Sequence, residues 1–87
     1  MMSEKIVFTV KGKDIAFEPN QVAYNKMINE MTMENKVAPS HNYLTRIVTP
    51  ETKEALEEIL KLPGAAIQLA GKVNEIYVPD LEIEVKN

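Results

Sequence analysis

The chain has 87 residues, with 10 Lys plus Arg against 13 Asp plus Glu, one His and no Cys, which gives a net charge of −3. That length predicts a single domain over residues 1–87, and 45% hydrophobic with 26% charged residues is the composition of a globular protein, not of a disordered one. Lack of cysteine excludes a disulfide framework and a thiolate metal site, the acidic balance opposes nucleic-acid binding, and no segment approaches the roughly 18 apolar residues that a membrane span requires.

Met1-Met2-Ser3-Glu4-Lys5 lacks the basic region and apolar stretch of a signal peptide, so a cytoplasmic location is expected. From Lys5 to Val10, Ile6, Phe8 and Val10 alternate with Val7 and Thr9, the pattern of a strand. Lys11-Gly12-Lys13-Asp14 supplies a tight turn, and Ile15-Ala16-Phe17 reads as the returning strand of a β-hairpin that Pro19 ends. Asn20 is a suitable N-cap for a first helix of about three turns, in which Val22, Ala23, Met27, Ile28 and Met31 recur at spacings of three and four. Thr32 to Pro39, with no sustained period, reads as a loop. Ser40 is placed to cap a short second helix over His41 to Val48, where Leu44, Ile47 and Val48 share a face.

Thr49-Pro50-Glu51 combines a hydroxyl at the N-cap, a proline whose missing N–H costs nothing there, and an acid at the positive end of the helix dipole. It predicts a third helix to about Lys61, with an apolar stripe of Ala55, Leu56, Ile59 and Leu60 and an i, i+4 pair of Lys53 with Glu57. Pro63-Gly64 breaks this period, and Pro63 is placed to begin a fourth helix. There Ala66, Leu69, Ala70, Val73, Ile76 and Tyr77 trace one face until Pro79. Small residues Ala65, Ala66, Ala70 and Gly71 permit close approach of another element. Leu81, Ile83 and Val85 alternate with Glu82 and Glu84, so this last segment either pairs with the hairpin or extends as an acidic arm. The expected fold class is α+β: an N-terminal β-hairpin, with or without a C-terminal strand, packed against three or four α-helices.

The chemistry on offer is sparse. His41 is the one side chain that titrates near neutrality, and its neighbour Ser40 points in a different direction along a helix, so no nucleophile–base pair is formed locally. Glu54, Glu57 and Glu58 share a helix face but have no imidazole or oxygen-rich loop beside them, which describes a solvated face and no metal site. Gly12 and Gly64-Ala65-Ala66 do not make a phosphate loop. Catalytic, metal and cofactor residues are therefore all expected to be none, and the chain is read as non-enzymatic. Acidity is uneven: residues 1–50 are net +1 and residues 51–87 net −4, a balance that repels phosphate and attracts a basic partner. Met27, Met31 and Met33 read as gap-filling core with Met33 in the loop, and an exposed methionine patch would point to binding.

Three segments are more particular: Asn35-Lys36-Val37-Ala38-Pro39-Ser40-His41-Asn42-Tyr43-Leu44, Leu62-Pro63-Gly64-Ala65-Ala66-Ile67-Gln68-Leu69-Ala70, and Tyr77-Val78-Pro79-Asp80-Leu81-Glu82-Ile83-Glu84-Val85. With them the chain resembles the small phage tail assembly chaperones of tailed phages and prophages, over most of its length. The resemblance implies a non-enzymatic helper that binds the long tape-measure protein in the host cytoplasm, keeps it soluble until tail-tube subunits polymerise around it, and is absent from the mature virion. A structural minor tail or tail-terminator component retained in the virion is the alternative. Implied partners are the tape-measure protein, other tail proteins and, through avidity along a long client, further copies of the chain, with neither nucleic acid nor membrane among them. The candidate partner-binding residues are Asn42, Tyr43 and Arg46 on one face and Leu81, Ile83 and Val85 on the C-terminal segment, since mixed aromatic/Arg patches and exposed edges favour binding.

Overall fold

In a computed structural model, which describes residues 5–86, strand β1 (Ile6–Val10) pairs antiparallel with strand β2 (Lys13–Phe17), Val10 opposite Lys13 and Ile6 opposite Phe17. Lys11 and Gly12 join them at φ 49° and 81°, and positive φ at both central positions makes this a type I′ turn, whose twist matches that of the strands. Gly12 adopts this backbone freely, whereas Lys11 carries a Cβ into the left-handed region. Ile6, Phe8 and Val10 turn inward as the alternation predicts, with Phe8 and Phe17 ring centroids 6.2 Å apart, while Val7 and Thr9 are exposed.

All three of Ile15, Ala16 and Phe17 are buried, because the far edge of β2 is covered by the chain that leaves the second helix. Glu18 N–H donates to the Ile47 carbonyl (2.7 Å) and Thr49 N–H to the Ala16 carbonyl (2.9 Å), around an isolated bridge between Phe17 and Val48. Thr52 Oγ1 accepts the Ala16 N–H (3.1 Å) and lies 3.3 Å from the Ala16 carbonyl and 2.9 Å from Thr49 Oγ1. Every contact is satisfied when Thr49 donates to Thr52 and Thr52 donates to Ala16. Two threonines thus substitute for a third strand.

Helix α1 (Gln21–Glu30) opens as expected, Asn20 Oδ1 accepting the Ala23 N–H at 2.8 Å. Its buried residues are Ala23 and Met27, one turn apart, with Tyr24 and Met31 beside them; Val22 and Ile28 lie off this line and are exposed. Helix α2 (Val37–Ile47) starts earlier than predicted and runs through Pro39 and Ser40. The first helical N–H to be bonded is that of Ser40, to the Lys36 carbonyl at 3.2 Å, so Pro39 occupies a position where no N–H is needed. Ser40 is buried within the helix and does not cap it.

A 3₁₀ turn (Pro50–Thr52) leads into helix α3 (Lys53–Leu60), and helix α4 (Ala65–Tyr77) follows. The Lys53–Glu57 pair does not form; Glu58 meets Lys61 instead, at 3.7 Å. Pro63 belongs to the connection and not to the helix. The Ala65 N–H donates to the Leu62 carbonyl (3.2 Å), and Gly64 sits at φ 78°, ψ −3° after a proline, the geometry of a type II turn. Helix α2 lies between α1 and α4, and α3 lies against β2. The core that they enclose centres on Ile15, Phe17, Met27, Tyr43, Leu44, Leu56 and Val73.

The C-terminal segment does not join the sheet, which among the described residues has two strands. Beyond Tyr77 the chain extends as an arm with Leu81, Ile83 and Val85 exposed, so of the two readings of its alternation the structure adopts the second. The edge of β2 is already occupied, and the Glu82 N–H turns back to Asp80 Oδ1 at 2.9 Å, with Glu82 at φ 51°. The threonine bridge carries a stability prediction. Thr52→Val keeps the shape but orphans the Ala16 N–H, and urea denaturation should register a loss of about 1–3 kcal/mol, most of it absent in Thr52→Ser.

Candidate binding surface

Helix α2 has two faces of opposite character. Asn42 and Arg46, one turn apart, are exposed together, with Thr45 Oγ1 donating to the Asn42 carbonyl at 2.9 Å between them. Arg46 Nη1 lies 3.7 Å from Glu30 Oε1 on α1, an open ion pair that orients the guanidinium and contributes little to stability. Tyr43, expected beside them, is fully buried and points into the core. Its hydroxyl donates to Asn74 Oδ1 on α4 at 3.0 Å, and the Tyr24 ring meets it edge-on with centroids 6.3 Å apart. Tyr24 in turn contacts Tyr77 at 6.2 Å, so three tyrosines join α1, α2 and α4 directly beneath the Asn42–Arg46 face. Burial pushes the Tyr43 phenol up to about 12, helped by the neighbouring Tyr77 and Tyr24.

The arm forms a separate surface. Leu81, Ile83 and Val85 are 71%, 83% and 87% exposed, an unusual state for three aliphatic side chains in alternation. Sequence reading did not single out a third feature, a groove of about 740 Å³ between the inward face of β1 and helix α4. Phe8, Val10, Ile59 and Leu69 line it, and Leu62 and Ile67 stand exposed on its rim. Its signal in the sequence is faint: two apolar residues that flank Pro63-Gly64 off the buried stripe of α4.

Acidic side chains gather between the start of β2 and helix α3, where Asp14, Glu51, Glu54, Glu57 and Glu58 border a shallow depression with Lys13 and Lys61. His41 lies in a smaller depression of about 230 Å³ with Thr45, Glu57, Leu60 and Lys61, so one carboxylate is near it. Among the described residues, no three His, Asp or Glu side chains are grouped to hold a metal ion, and no helix is long and apolar enough to cross a membrane. What this surface provides is contact area: an exposed helix face, an apolar groove, an acidic shelf and an arm.

Residues 6–87 match the profile of a family described as phage tail assembly chaperone, and the chain belongs to that family. It is similar to a protein of Haemophilus phage HP1 (strain HP1c1) described as an uncharacterized 11.3 kDa protein in the lys 3′ region, with 44% identity over 86 residues, covering 99% of this chain and 84% of that one. No solved structure matches it. Family membership implies a non-enzymatic role among tail proteins.

The buried phenol gives the α2 face a pH signature. With Tyr43 raised from 10.0 to about 12, both states hold the proton below pH 10 and this part of the stability is complete. As pH climbs through that interval the unfolded chain ionises first, so stability falls. Urea denaturation at a series of alkaline pH values should therefore show a steeper decline for the native chain than for Tyr43→Phe. The variant should lose about 0.5–1.5 kcal/mol at neutral pH with its hydrogen bond to Asn74.

Proposed function

We propose that this chain binds the tape-measure protein in the bacterial host cytoplasm, keeps it soluble while the tail tube assembles around it, and is left out of the mature virion. The observation that carries this reading is the pairing of a tail assembly chaperone family with exposed aliphatic side chains, Leu81, Ile83 and Val85, set among acidic ones. A long helical client released from synthesis presents apolar stripes that aggregate unless covered, and covering them takes apolar contact together with enough charge to keep the complex dispersed. The α2 face supplies a polar contact of defined geometry: Asn42 and Arg46 stand on a helix that the tyrosine cluster holds against α1 and α4. The arm supplies the apolar partner surface.

Co-expression tests the reading. A tape-measure protein from the same phage should be markedly more soluble with this chain than without it. The doubly substituted Asn42→Asp, Arg46→Glu chain should lose most of that effect while keeping its melting temperature within a few degrees, since both side chains are on the surface. An unchanged soluble fraction on co-expression refutes client binding, and stoichiometric chain in purified particles refutes its release from the virion.

A further inference from the structure

The hairpin has one covered edge and one open one. Val7 stands opposite Ala16, whose N–H and carbonyl are both engaged with Thr52 and Thr49 on the far side of β2. Val7 and Ala16 therefore form a non-hydrogen-bonded pair, and by the alternation of an antiparallel ladder so do Thr9 and Asp14. The N–H and carbonyl groups of Val7 and Thr9 consequently point outward along the free edge of β1, where no described residue bonds them. Phe8 and Val10 face the apolar groove from this same strand. An added strand along the edge would lay every second side chain over that groove, beside Phe8 and Val10.

The arm has the matching form. Leu81 to Val85 is five residues long, as β1 is, and with Glu82 moved from φ 51° into extended backbone it puts its aliphatic side chains on one face and Glu82 and Glu84 on the other. It is unpaired and exposed. Charge complements it: residues 5–17 carry Lys5, Lys11 and Lys13 against Asp14, net +2, while residues 79–86 carry Asp80, Glu82 and Glu84 against Lys86, net −2. We propose that Leu81–Val85 of one copy of this chain adds as a third strand to the β1 edge of a second copy, its Leu81, Ile83 and Val85 covering the groove between the hairpin and α4. Val7 and Thr9 would supply the main-chain hydrogen bonds, and Lys11 would meet the acidic face. Each copy then offers one arm and one edge, so two copies exchanging arms close a dimer, arms passed onward build a chain of copies, and a client that takes up the arms releases the copies from one another.

Purified protein alone tests this, with no client present. Light scattering over micromolar to millimolar concentrations should give a mass of at least two chains for the native protein and of one chain for Ile83→Lys, a change at an exposed position that leaves the circular dichroism spectrum intact. A synthetic peptide of residues 79–87, titrated into the Ile83→Lys chain, should shift the amide resonances of Val7 to Lys11 and leave those of α1 in place. A native chain that stays monomeric over that range overturns the proposal, whether its arm is free or folded onto its own edge. So does an Ile83→Lys chain that still self-associates, or a peptide whose shifts fall elsewhere.

Discussion

The hydrogen bonds between Ala16 and the pair Thr49 and Thr52 are what the rest of the structure depends on. A two-stranded hairpin is marginal by itself, and its inner side chains gain little until a second layer covers them. The exit of α2 and the entry of α3 both converge on Ala16 and Glu18, through the Ile47 carbonyl, the Thr49 N–H and the Thr52 hydroxyl. These contacts fix where the two helices stand relative to the sheet. Phe17, Leu44 and Leu56 can then fill one space, each fully buried. Pro50 takes part by opening the 3₁₀ turn that brings Thr52 back to face Thr49.

The same arrangement makes the molecule asymmetric. One edge of the sheet is closed by threonines, and the opposite edge, the groove beside it and the arm are all open. The polar groups that are buried serve the fold, as when Tyr43 reaches Asn74, and the charged groups are spread over exposed faces. A surface of this kind suits recognition through area and charge, in keeping with membership of a chaperone family.

The parts legible in the sequence were those decided by neighbours along the chain. The glycine turn, the Asn20 cap and the buried series Leu44, Ile47, Leu56, Ile59, Leu69 and Val73 all follow from local turn chemistry or helical spacing. Pro39 misled because proline commonly ends a helix, yet a helix also tolerates it in the first turn, where four N–H groups lack partners. The alternation of Leu81, Ile83 and Val85 was ambiguous for a different reason: a period of two gives the chain two unlike faces but says nothing of whether a partner strand exists. Tyr43 was grouped with Asn42 and Arg46 by composition, although its i+4 relation to buried Ile47 already placed it inward. The role of Thr52 was invisible, because its partner lies in another part of the chain.

That separation sets an order of events in time. The hairpin closes across two residues, whereas Ala16 and Thr52 are 36 residues apart in sequence. Emerging from a ribosome, the strands can pair as soon as Phe17 is free, but β2 keeps an apolar, unsatisfied flank until the start of α3 has been made. During that interval the newborn chain exposes two strand edges where the finished one exposes a single edge. A protein whose family assists the assembly of others passes, during its own synthesis, through a stage in which it is itself most prone to aggregate.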